Sequence, residues 1–142
     1  MIVTAELTLR GSMIKKLIER ELRDFRESYG LKRIEIEVLY LLANSSKDTV
    51  AEIAAFLDAN RGHISQTVES LCQKGYITPV PDQKDRRYIH FELTERGRDL
   101  SVPIRERWNA LTEDVFRGIS PEELEQYKST SMKIRHNIER LL

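Results

Sequence analysis

The chain is 142 residues long, 40% hydrophobic and 32% charged, and its 23 Lys and Arg are balanced by 23 Asp and Glu to a formal net charge of zero. That length and mixture make one ordinary globular domain and exclude a disordered tail. The longest apolar run, Val38 to Ala43, has six residues, far short of the ~18 that span a bilayer, so no membrane partner is expected. The N-terminus has neither the basic start nor the apolar stretch of a secretion signal, and the lone cysteine, Cys72, has no partner for an internal disulfide. Both features point to the cytoplasm. Neutrality taken alone argues against a nucleic-acid partner, whose phosphates call for excess positive charge.

The N-terminal segment reads as one helix, with Ile14, Ile18, Leu22, Phe25 and Tyr29 on a single stripe and Gly30 as its end. A second helix carries Ile34, Val38, Leu41 and Leu42 and closes at Asn44-Ser45-Ser46-Lys47. The third opens on a capping box, Thr49 with Glu52, presents Val50, Ile53, Ala54 and Leu57, and ends near Asp58. Asn60 is an N-cap for a fourth helix, with Ile64, Val68 and Leu71 inward and Gly75 placed to stop it in a left-handed turn.

Beyond Gly75 the hydrophobic period changes from that of a helix to that of a strand. Tyr76 to Pro81, a polar loop from Asp82 to Arg87, and a run with Ile89, Phe91 and Leu93 opposite His90 and Glu92 predict a two-stranded hairpin with a charged tip. Thr94 caps a fifth helix, whose stripe is Leu100, Ile104, Trp108, Leu111 and Val115. Ser120-Pro121-Glu122-Glu123 opens a sixth, with Leu124, Tyr127, Ile134, Ile138 and Leu141 along it.

Two short helices joined by Ala59-Asn60-Arg61 and followed at once by a hairpin make a winged helix-turn-helix, a mainly α fold with a small β wing. Its charges are unevenly placed. Residues 34 to 58 hold one base against five acids, a net of −4, whereas residues 59 to 91 hold five bases against three acids, a net of +2. The neutral total therefore hides a basic half, and that half contains the elements that read DNA in such a fold. Helix 60–74 is expected in the major groove and wing 79–90 in the adjoining minor groove. With Ile64, Val68 and Leu71 inward, the outward and flanking positions are Gly62, His63, Ser65, Gln66 and Ser70, with Arg61 at the start. Gln66 can pair with adenine and Ser65 can donate or accept, while Arg61 and His63 sit where a helix N-terminus favours phosphate. Lys84, Arg86 and Arg87 complete the candidate DNA contacts from the wing tip.

The stretch from Leu31 to Leu100 resembles the MarR (multiple antibiotic resistance regulator) family of winged-helix transcription factors. The likeness is carried by Thr49-Val50-Ala51-Glu52-Ile53-Ala54, Ile64-Ser65-Gln66-Thr67-Val68-Glu69-Ser70-Leu71, Lys74-Gly75-Tyr76-Ile77, Asp82-Gln83-Lys84-Asp85-Arg86-Arg87 and Leu93-Thr94-Glu95-Arg96-Gly97. The resemblance implies a ligand-responsive homodimeric repressor on a pseudo-palindromic operator. In that arrangement 1–30 is a dimerisation helix, 31–98 the DNA-binding domain and 99–142 the C-terminal dimerisation helices. It also implies that Asp85 fixes the wing and Arg87 enters the minor groove, and that a small aromatic or carboxylic effector lies in a crevice that Phe25, Tyr29, Tyr40 and Trp108 are candidates to line. Pro79 and Val80 stand where the family often carries arginine. That departure, with the acidic second and third helices, motivates the competing reading of a winged-helix protein-interaction module without DNA binding.

Nothing in the sequence is arranged for catalysis. There is no glycine-rich phosphate loop and no nucleophile with a placed base, and His63, His90 and His136 are scattered without a metal-ligand spacing. No cofactor or metal is expected. Cys72, four residues after Val68, reads as a small packed hydrophobe in preference to a redox sensor.

Overall fold

A helix enclosed on several sides organises the fold. In the computed structural model, which describes residues 2–142 with side chains from Arg10 onward, α2 (Arg33–Asn44) packs against α1 (Ile2–Tyr29), α4 (Arg61–Gln73) and β2 (Ile89–Leu93). It buries Ile36, Val38, Leu39 and Leu41. The expected stripe of Ile34, Val38, Leu41 and Leu42 is corrected by this. Ile34 and Leu42 are only half-buried, while Ile36 and Leu39, off that stripe, are fully enclosed. A single stripe presumes one buried face, and a helix with neighbours on several sides has more than one.

The helix-turn-helix begins where its caps place it. Ahead of α3 (Val50–Leu57), the Thr49 hydroxyl accepts the Glu52 N–H at 3.3 Å and the Glu52 carboxylate accepts the Thr49 N–H at 3.2 Å. Ile53 and Ala54 then face the core. Asp58 turns the chain in the left-handed region, at φ 51°, and Asn60 starts α4 by accepting the Gly62 N–H at 2.7 Å. At the far end Gly75 has φ 80°, and the N–H groups of Gly75 and Tyr76 return to the carbonyls of Cys72 and Leu71 at 3.0 Å each, the pattern of a Schellman stop.

β1 (Ile77–Pro81) pairs antiparallel with β2, from Ile77 opposite Leu93 to Pro81 opposite Ile89. The hairpin has a third attachment. Thr49 forms a bridge with His90, and the Phe91 N–H donates to the Asp48 carbonyl at 2.9 Å, so the base of the wing is tied to the turn that precedes α3.

α5 (Glu95–Val115) starts on a seat that explains Leu93-Thr94-Glu95-Arg96-Gly97. The Thr94 hydroxyl donates to the Gly75 carbonyl at 2.6 Å and accepts the Gly97 N–H at 3.1 Å, while the Thr94 N–H donates to the Tyr76 carbonyl. A Cβ at Gly97 would stand 2.0 Å from that same carbonyl oxygen. Only glycine lets the helix sit so close to the junction of α4 and β1.

The chain divides into two compact units, one ending at Arg107 and the other starting at Trp108. The division between them falls inside α5. Leu22 and Phe25 of α1 and Leu100 and Ile104 of α5 are buried, and Arg107 reaches Glu21 at 3.4 Å, which groups these helices with the winged elements. Along α1, Ile18 is half-buried, whereas Ile14 and Tyr29 are exposed. In the second unit, Ser120 and Glu123 form the expected capping box of α6 (Pro121–Glu139), yet no residue of α6 is buried. Among the described residues no helix is long and apolar enough to cross a membrane.

Candidate nucleic-acid interface

The first two turns of α4 present a polar surface. Arg61, Gly62, His63, Ser65 and Gln66 are all exposed, while Ile64, Thr67 and Val68 point into the core and the Thr67 hydroxyl donates to the His63 carbonyl. Ser70 does not join them. Its hydroxyl donates to Glu35 at 2.6 Å, and Lys74 bonds both oxygens of that carboxylate at 2.9 Å and the Gly30 carbonyl at 2.9 Å. The helical wheel put Ser70 on a flank, and the flank it occupies faces α2.

Among the described residues Glu35 is the one buried acid, 1% exposed. Burial pushes its carboxyl up, but the Ser70 hydroxyl, the Lys32 N–H at 2.7 Å and Lys74 together outweigh that and hold it below the usual value. The same carboxylate therefore caps α2, through Lys32, and fixes the register of α4. Nothing in the sequence around Glu35 marks it, because its partners Ser70 and Lys74 lie 35 and 39 residues away.

The wing tip is built by two aspartates. Asp82 accepts the N–H groups of Lys84 and Asp85 at 2.8 and 3.0 Å, the Asp82 N–H donates to the Tyr88 carbonyl at 2.9 Å, and the Tyr88 N–H donates to the Asp85 carbonyl at 3.0 Å. Asp85 in turn accepts from Arg87 through Nε at 3.0 Å, Nη2 at 2.8 Å and the backbone N–H at 3.1 Å. The pair forms within the turn that Asp85 and Tyr88 close. The Arg87 side chain is held at its head and still 88% exposed, and Lys84 and Arg86 are exposed beside it. Bonding to Arg87 holds the Asp85 carboxyl below its usual value.

α4 and the wing border one open trough of about 540 Å³. It is lined from α4 by Arg61, Ser65, Val68 and Glu69, from the wing by Arg87, Tyr88, Ile89 and Phe91, and from the start of α3 by Thr49 to Ala51. Residues 31–97 match the winged helix DNA-binding domain family. This stretch has the winged helix fold.

Its relatives and structural neighbours are regulators by name. The chain is 27% identical over 112 residues to the HTH-type transcriptional regulator YkoM of Bacillus subtilis, itself uncharacterized, covering 79% of this chain and 72% of that one. It spans 64% of the length of two further HTH-type regulators from Bacillus species, at 28% and 23% identity. A MarR/EmrR family regulator from Acinetobacter shares the fold over 99% of both chains, with a TM-score of 0.83 at 20% identity. FabT of Streptococcus pneumoniae, solved in complex with DNA, does so over 99% of both chains, with a TM-score of 0.71 at 21% identity. The winged helix of this protein is thus set in the fold of the MarR regulators.

Within that winged helix, one side chain absent from the sequence-derived site links the wing to its base. His90 Nδ1 lies 2.7 Å from an oxygen of Asp48, in the turn before α3, and Nε2 lies 2.9 Å from an oxygen of Asp82 in the wing loop. The bonds to Asp48 first, then to Asp82, raise its pKa to about 8. Among the described residues no three acidic, histidine or cysteine groups are placed to hold a metal ion. The Asp82 contact is foreshadowed by the hairpin, whereas Asp48 is 42 residues away and carries no local signal.

The aromatic candidates are distributed. Phe25 is buried and stacks on Tyr29 at 6.2 Å between ring centres, with Arg107 over the Phe25 ring. Tyr40 is half-buried, Trp108 belongs to the second compact unit, and the trough beside α4 is lined by none of the four. Cys72 is half-buried. Burial, and secondarily Glu69, pushes its thiol up, which disfavours the reactive thiolate.

Proposed function

We propose that this winged helix protein is a cytoplasmic, homodimeric transcriptional repressor that binds a pseudo-palindromic site in double-stranded DNA. The observation that carries the reading is the shared trough: the polar start of α4 and the clamped Arg87 of the wing flank one concave surface, with cationic groups on both walls. A helix in the major groove and a wing in the next minor groove need that relation, since the DNA strand between the grooves passes between them. Arg61, His63, Ser65 and Gln66, with Gly62 allowing close approach, are the contacts assigned to α4, and Lys84, Arg86 and Arg87 those assigned to the wing. The dimer is supported by the apolar side chains that α6 leaves exposed, Tyr127, Met132 and Ile138. A small aromatic or carboxylic effector completes the reading, with the stacked Phe25 and Tyr29 as an aromatic surface for it. Stabilisation of the protein in a thermal-shift screen of aromatic acids tests that part.

The DNA reading is tested by selecting bound duplexes from a random pool and titrating the winner by fluorescence anisotropy. Binding that weakens steeply as salt rises, at a half-site spacing near one helical turn, supports it. Failure to enrich any duplex refutes it.

A further inference from the structure

We propose that His90, as its imidazolium, is a positioning residue for the wing: by bridging Asp48 and Asp82 it locks the loop that carries Arg87 to the turn before α3, and DNA binding therefore depends on its proton. The inference rests on the DNA-binding reading above.

Both ring nitrogens of His90 face carboxylate oxygens, at 2.7 and 2.9 Å, and an ionised carboxylate only accepts. A neutral imidazole has one N–H and one lone pair, so it can serve one of these partners and must repel the other. Only the cation donates to both. The side chain is 31% exposed, enough to exchange its proton with solvent while the bridge stays in place.

What the bridge holds is the whole tip. The second oxygen of Asp82 accepts the N–H groups of Lys84 and Asp85, and Asp85 grips Arg87. A continuous series of bonds therefore runs from Asp48 through His90, Asp82 and Asp85 to the guanidinium. The other charged groups around the bridge are accounted for. Glu52 accepts the Asp48 N–H at 3.1 Å and feels Lys47, Arg87 is engaged by Asp85, Lys84 is exposed, and Glu92 follows on β2 as an exposed side chain. None of these side chains donates to Asp82 or Asp48 in place of His90.

A histidine whose pKa rises to about 8 from 6.5 on forming the bridge holds the wing fully below pH 6.5 and releases it as the pH climbs through 8. A shift of that size limits the coupling to about thirtyfold.

The experiment reads the wing and the DNA separately. The His90 ring is titrated by NMR in the full chain, heteronuclear NOEs of the Lys84 to Tyr88 amides are followed from pH 6.5 to 9.5, and the selected duplex is titrated by anisotropy over the same range. Wild type should lose wing order with the His90 titration and lose about tenfold in affinity. The decisive variant is Asp48→Asn. An asparagine can donate to the lone pair of neutral His90, so the bridge no longer needs the proton, and the wing should stay ordered at pH 9.5 with a flattened affinity profile. His90→Ala should leave the wing loose at every pH. Every other titrating group is common to wild type and Asp48→Asn, so the difference between their profiles isolates His90. Identical profiles for wild type and Asp48→Asn, or a wing that stays ordered in His90→Ala, overturn the proposal. Absence of binding to any duplex, with the His90-dependent loosening intact, overturns the DNA reading and upholds the wing lock.

Discussion

Arg87 and Asp85 form a bidentate pair, Nε and Nη2 against the two carboxylate oxygens at 3.2 Å or closer, in which the cation keeps 88% of its side-chain surface open. A surface pair of this kind does little for folding. Its effect is to remove most of the rotamer freedom of a long side chain before any ligand arrives, which lowers the ordering cost of binding.

Two substitutions separate reach from aim. Arg87→Ala removes a phosphate or groove contact and should weaken the selected duplex by about tenfold to a hundredfold, with a salt slope shallower by about one. Asp85→Ala leaves the cation in place but unaimed, so it should weaken binding less and leave the salt slope unchanged. Anisotropy titrations at several salt concentrations check both, and neither variant should move Tm appreciably.

Glu35 and Lys74 place α4 against α2, and breaking the pair should cost folding before it costs anything else. Lys74→Met leaves a carboxylate that is 1% exposed without its cation, at a cost of about 3 kcal/mol measured by urea unfolding. The native carboxyl titrates below its usual value. Its stabilising effect is therefore present above about pH 4.5 and disappears as the pH falls through the lowered value, and Glu35→Gln should flatten that part of the acid-unfolding curve.

Gly97 should tolerate nothing larger. Alanine there drives a Cβ to 2.0 Å from the Tyr76 carbonyl oxygen, and since the obstacle is backbone, α5 must shift. A loss of about 2–3 kcal/mol is expected in chemical denaturation. Thr94→Val, which keeps the shape and removes the hydroxyl bonded to Gly75 and Gly97, should cost about 1–2 kcal/mol.

These cases mark where the sequence was legible. Thr49, Asn60, Gly75 and Ser120 work within a few residues of themselves, so capping rules locate the helix boundaries they set. The Asp85 and Arg87 pair is likewise local. The contacts that aim the candidate interface are of another kind. Glu35 with Lys74, Ser70 with Glu35 and His90 with Asp48 join residues separated by 35 to 42 positions. Periodicity assigns each to a face but not to a partner, and for Ser70 the difference decided whether it met solvent or a buried acid. The enclosure of α2 by α1, α4 and β2 was hidden for the same reason.

Several apolar side chains of α6 and α1 stay uncovered in the single chain. In α6, Tyr127 is 61% exposed, Met132 71% and Ile138 50%, and in α1 Met13 and Ile14 are exposed as well. An amphipathic helix whose apolar side stays open loses most of the stabilisation that packing gives a helix, which a second copy can restore. In the proposed dimer Ile138 is covered, and Ile138→Glu places a charge where it must be desolvated on association. Light scattering after size exclusion should give twice the chain mass for the native protein and the single mass for Ile138→Glu at low micromolar concentration. The variant should also lose cooperative binding to a two-half-site duplex while keeping weak binding to a single half-site. A native protein that elutes as a monomer at every concentration, or an Ile138→Glu variant that remains dimeric, removes α6 from the interface.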